Sequence, residues 1–103
     1  MTDVEVSVGA ADVSVAVHDT VTVRLPENGT TGYVWSIAKR GEGLSLADDR
    51  GVAAAAGGAV GAGGEHIFQL RAEQAGEWQV EFRLAREWES GVLEERRLTV
   101  RVS

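Results

Sequence analysis

His18 and His66 are the residues to question first, because imidazole is the side chain most readily turned to metal binding or proton transfer. Either role needs partners at a set spacing, such as a second histidine on the same face or a cysteine pair. Neither histidine has them, and each reads as an ordinary strand residue. Cysteine is absent, which removes thiolate ligands, a disulfide framework and a cysteine nucleophile. The chain carries no Gly-x-Ser-x-Gly elbow and no phosphate loop ending in Lys-Ser or Lys-Thr. Gly61-Ala62-Gly63-Gly64 is rich in glycine, but a strand pattern follows it, so the helix N-terminus that a phosphate would need is missing. Glu94-Glu95 beside Arg96-Arg97 reads as a solvated face. The expectation is a protein that is not an enzyme and uses no cofactor or metal.

Three other stretches stand out. Asn28-Gly29-Thr30-Thr31-Gly32-Tyr33 is small, polar and hydroxyl-bearing, and it opens into Val34-Trp35. Asn28-Gly29 is a two-residue hairpin signal on composition alone, and Asn28-Gly29-Thr30 is also a glycosylation triplet. Residues 51–64 are almost wholly glycine and alanine, which marks a low-complexity surface segment. Arg86-Glu87-Trp88 sits in a polar hairpin tip after a regular apolar alternation. Trp88 continues the parity of that alternation, so it is either a core residue or, if the tip breaks the parity, an exposed one.

Strands must position these stretches. Val4, Val6 and Val8 alternate with Glu5 and Ser7. Val13, Val15 and Val17 repeat the pattern, and so do Val21, Val23 and Leu25 before Pro26. Tyr33, Trp35 and Ile37 share a face, as do His66, Phe68, Leu70 and Ala72. Trp78, Val80, Phe82 and Leu84 form the most regular run, and Leu98, Val100 and Val102 finish the chain. Period-two alternation rich in β-branched residues is the signature of half-buried strands. Leu44 to Ala47 reads as a short edge strand, residues 52–56 as an irregular one, and residues 57–64 as a mobile loop. No stripe of helical period is present. The expected architecture is all-β: about seven or eight antiparallel strands in two sheets packed face to face, with Trp35, Trp78 and Phe82 buried together.

The chain of 103 residues is expected to be one domain, 1–103. A net charge of −6 leaves no basic face for a phosphate backbone, so nucleic acid is not an expected partner. No apolar run approaches the ~20 residues of a membrane span, and no charged-then-apolar leader is visible. The expectation is a monomer without membrane contact, cytoplasmic if the chain is full length.

The three stretches resemble the signature loops of the chagasin family of cysteine-peptidase inhibitors. The family's first loop is Asn-Pro-Thr-Thr-Gly-aromatic, here Asn28-Gly29-Thr30-Thr31-Gly32-Tyr33 followed by Trp35. Its second is a glycine-rich loop before a strand, here Val60-Gly61-Ala62-Gly63-Gly64-Glu65-His66. Its third is Arg-Pro-Trp in a hairpin, here Arg86-Glu87-Trp88. All three occur in family order, and the resemblance covers most of the chain.

The resemblance implies an immunoglobulin-like β-sandwich with the three loops side by side at one end. It also implies a papain-like cysteine peptidase as partner, bound reversibly and competitively. Thr30 and Thr31 would plug the catalytic centre, Gly61 to Gly64 would lie along the non-primed side of the cleft, and Trp88 would anchor the primed side with Arg86 in support. On this reading the first loop is longer than a hairpin turn and crosses between sheets. Gly29 and Glu87 stand where the family has proline. Proline fixes φ and lowers the entropy cost of ordering a loop, so both departures imply looser loops. The rival expectation is a non-inhibitory immunoglobulin-like binding or assembly module that uses a sheet face or an edge strand.

Overall fold

The computed structural model describes residues 2–6, 11–27, 32–52, 64–86 and 91–103. Every regular element among them is a strand: β1 (Asp3–Val6), β2 (Asp12–Val15), β3 (Thr20–Glu27), β4 (Val34–Lys39), β5 (Leu44–Val52), β6 (Gly64–Ala72), β7 (Gly76–Ala85) and β8 (Val92–Val102). They form two four-stranded sheets, in the orders β1-β3-β6-β5 and β2-β8-β7-β4.

The core follows the alternation. Val21, Val23 and Leu25 of β3, Phe68 and Leu70 of β6, Val80 and Phe82 of β7, and Leu98, Val100 and Val102 of β8 are all buried. Each large side chain removed from water contributes about 1.5–3 kcal/mol. The two sheets meet at Phe68 and Phe82, whose ring centroids lie 5.1 Å apart in a tilted arrangement.

Both sheets are mixed, which corrects the antiparallel expectation at one edge of each. β1 runs parallel to β3, with Val4 opposite Val21 and Val6 opposite Val23. β2 runs parallel to β8, with Val13 opposite Val100 and Val15 opposite Val102. Alternation says which face a side chain takes and nothing about the direction of its partner. Parallel neighbours need a long crossover. For β1 and β3 that crossover includes β2, which is contributed to the opposite sheet.

Two further expectations are corrected. β5 is not a short edge strand ending at Ala47. It runs nine residues to Val52, with a register shift between Leu46 and Asp48. Trp78 is only partly buried against the core. Its indole N–H donates to the Gln74 carbonyl at 3.0 Å, and its ring lies on the turn glycines. A Cβ at Gly43 would stand 2.1 Å from that ring. Trp78 therefore closes the end of the sandwich at the start of β7 and does not join Trp35 and Phe82 in the centre. The expected edge strand over 52–56 keeps Val52 as the last residue of β5, and its remainder lies outside the described residues.

Candidate functional site

Three connections leave the sandwich at one end. The first runs from Glu27 of β3 to Val34 of β4, the second from Val52 of β5 to Gly64 of β6, and the third from Ala85 of β7 to Val92 of β8. Register brings their stems together. Glu27 is opposite Gly64, and Val52 is opposite Glu65. In the other sheet Val34 is opposite Ala85, which is opposite Val92. β3 and β4 belong to different sheets, so the first connection crosses between sheets and is not a two-residue hairpin.

Of the expected site residues, Gly32, Tyr33, Gly64 and Arg86 are described. Gly32 has φ of +79°, a left-handed conformation suited to glycine, and it turns the chain into β4. Tyr33 is half-buried, and the Arg86 guanidinium carbon stands 4.2 Å from its ring centroid. This cation–π contact fastens the stem of the first connection to that of the third. Gly64 opens β6. Asn28, Gly29, Thr30, Thr31, Gly61, Ala62, Gly63, Glu87 and Trp88 lie outside the described residues, as does most of the segment expected to be mobile.

Beneath the first two connections lies a polar network that sequence reasoning missed. His66 is 6% exposed and stacks on Phe68 with centroids 4.5 Å apart. Its Nδ1 is 2.9 Å from Glu27 Oε2, and its Nε2 is in close contact with Asp49 Oδ1. The same Glu27 oxygen accepts the Trp35 backbone N–H at 2.8 Å. The Trp35 indole N–H donates to the Pro26 carbonyl at 2.8 Å. Glu27 and Trp35 thus join the two sheets directly below the first connection. One signal was visible in the sequence. His66 shares the parity of Phe68 and Leu70, and an inward-facing imidazole needs a partner. Its partners could not be named, because they lie 39 and 17 residues away.

The network is not arranged for catalysis or metal binding. Both ring nitrogens face carboxylates, so neither is directed at a hydroxyl nucleophile. Among the described residues no group of His, Asp and Glu could hold a metal ion. A shallow depression of about 280 Å³ lies beside the loop stems, lined by Val34, Ser36, Arg83, Ala85 and Arg86. A larger one, about 590 Å³, lies at the opposite end around Lys39, Arg40 and Trp78.

The model of the Chagasin family peptidase inhibitor I42 matches residues 14–102. No curated protein matches the chain significantly. Among solved structures, the cysteine protease inhibitor EhICP2 from Entamoeba histolytica superposes with a TM-score of 0.86 at 23% identity, covering 99% of this chain and 96% of that one. The solution structure of amebosin gives 0.75 at 26% identity, over 99% and 97%. PbICP-C, in complex with falcipain-2, gives 0.72 at 13% identity, over 100% of both chains. At such identities the first and third show a shared fold.

Proposed function

The chain belongs to the chagasin family of peptidase inhibitors, and from that membership we propose that it is a reversible, competitive inhibitor of papain-like cysteine peptidases, acting as a monomer through three adjacent loops. The observation that carries the reading is the convergence of all three loop stems on one end of the sandwich, with Arg86 over Tyr33 joining the first to the third. That PbICP-C, of the same fold, is seen with falcipain-2 supports a protein partner.

The chemistry is steric and electrostatic. The first loop plugs the catalytic centre, with Thr30 nearest the nucleophile and Thr31 beside it. Small glycine and threonine side chains let backbone approach a narrow cleft. Their hydroxyls hydrogen-bond around the Cys–His pair without offering an aligned scissile carbonyl. Asn28 and Gly29 lead into the plug, and Gly32 and Tyr33 lead out. Gly61, Ala62, Gly63 and Gly64 lie extended along the non-primed side, bonded through backbone like an added strand. Trp88 is the aromatic anchor on the primed side, and Arg86 and Glu87 precede it.

The test is titration of papain and a cathepsin-L-like enzyme with wild type, Thr30→Trp and Trp88→Ala. Both variants should raise the inhibition constant, Trp88→Ala by ~2 kcal/mol or more, with unchanged melting temperatures. Absence of inhibition by wild type at high micromolar concentration would sink the reading.

A further inference from the structure

A carboxylate only accepts hydrogen bonds, and a neutral imidazole has one N–H to give. His66 nevertheless presents both ring nitrogens to carboxylates, Nδ1 to Glu27 and Nε2 to Asp49. The two contacts can be satisfied together only if the cluster holds one proton more than a neutral ring and two carboxylates would. An imidazolium supplies it. A proton on Asp49 beside a neutral ring gives the same count, so the argument does not depend on which atom carries it.

The cluster sits at the roots of the first two loops. Glu27 is the last residue of β3 and lies opposite Gly64, the first of β6. Asp49 is on β5, three residues before its end at Val52. Trp35, the second residue of β4, ties its amide to the same Glu27 oxygen that meets His66. Gly51, opposite His66, keeps this space open: a Cβ there would stand 3.3 Å from Glu27 Oε1. Among the described residues, Glu27 and Asp49 are the charged groups that face the ring. Asp48 and Arg50 pair with each other at 3.1 Å. Arg24 pairs with Glu5 and Glu65. β4 offers only the uncharged Trp35 amide.

We propose that protonated His66 is a positioning residue for the inhibitory loops, so that inhibition is linked to proton binding. The inference rests on the inhibitory reading above. With the extra proton, one cation sits between two anions and the four strands that bear the first two loops are clamped. Without it, two carboxylates face each other across a neutral ring, and one nitrogen lone pair points at an oxygen. The clamped form binds the additional proton, so low pH favours it and rising pH releases it. Inhibition is therefore tighter in acid.

The experiment compares wild type with Glu27→Gln and His66→Gln against papain between about pH 5 and about pH 8, the range in which imidazole changes charge. The ratio of variant to wild-type inhibition constants is taken at each pH, so that the peptidase's own titration cancels. A glutamine at position 27 can keep its carbonyl oxygen on the Trp35 N–H and the His66 Nδ1 but lacks the negative charge that favours the extra proton, so its network is less sensitive to pH. The advantage of wild type over Glu27→Gln should shrink on the order of tenfold, equivalent to ~1.4 kcal/mol, as pH rises across this range. A ratio that stays flat while inhibition is intact overturns the proton link and leaves the inhibitory reading standing. Absence of inhibition at every pH overturns the inhibitory reading. A second arm needs no variant to fold. Ring ¹⁵N shifts of wild type should show both His66 nitrogens protonated in acid or a proton shared with Asp49, and the Trp35 amide resonance should move as that proton leaves. A Trp35 amide that ignores the titration of His66 overturns the proposal.

Discussion

The guanidinium of Arg86 lies over the ring of Tyr33, with its carbon 4.2 Å from the ring centre. Arg86 directly follows β7 and Tyr33 directly precedes β4, so two loops that are far apart in sequence share one fastening. A double-mutant cycle with Arg86→Met and Tyr33→Leu should give a coupling of ~0.5–1 kcal/mol in stability. The inhibition constant should rise several-fold in each single variant. A coupling indistinguishable from zero would show that the stacked geometry contributes nothing.

Trp35→Phe keeps the ring in the core and removes the indole N–H that meets the Pro26 carbonyl at 2.8 Å. A partly buried acceptor then loses its donor, which costs about 1–3 kcal/mol. Urea unfolding should show a lower midpoint with an unchanged slope. An unchanged midpoint would mean that water replaces the bond without cost.

Gly43 and Gly91 make a matched pair. A methyl at Gly43 would stand 2.1 Å from the Trp78 ring, whereas nothing lies within 4 Å of one at Gly91. Gly43→Ala should cost ~1–3 kcal/mol through overpacking and shift the tryptophan fluorescence. Gly91→Ala should stay within ~0.5 kcal/mol of wild type. Equal melting temperatures for the two variants would refute the close fit.

Asp19 sets part of the acid limb. The Ala16 backbone N–H, reinforced by the Thr2 N–H, holds its carboxyl below the ordinary carboxylate value. The carboxylate is therefore favoured in the folded state. Its contribution is fully present above the unfolded value of about 3.9 and is lost as pH falls through the lower folded value. Asp19→Asn should flatten melting temperature against pH in that window and leave the profile above it parallel to wild type. Parallel acid limbs would rule the assignment out.

The fold was legible wherever one face of a strand meets the core and the other meets water. Val80 and Phe82 alternate with Gln79, Glu81 and Arg83, and the structure keeps that order. Trp78 shares their parity but sits where the strand begins, beyond the packed centre. Parity cannot report position along a sandwich. The strand read over Leu44 to Ala47 continues through the charged run Asp48-Asp49-Arg50 as part of β5. The register shift at Leu46 lets Asp49 meet His66 while Asp48 and Arg50 pair elsewhere. The loop stems were legible because their motifs are local. The Glu27–His66–Asp49 cluster was not, because it is assembled from three strands and violates the rule that inward positions are apolar.

The parallel pairing of β2 with β8 sets an order of events during synthesis. Residues 12–15 are made well before the strand that holds them, since their register runs from Asp12 with Thr99 to Val15 with Val102. At ~5–20 residues per second, the edge strand must wait several seconds for its neighbour to leave the ribosome. During that wait its valines are uncovered, and so is a sheet edge that a second chain could occupy. The ribosome-bound nascent chain is therefore most open to wrong pairing just before β8 emerges, and a chaperone that holds residues 12–15 would act in that interval.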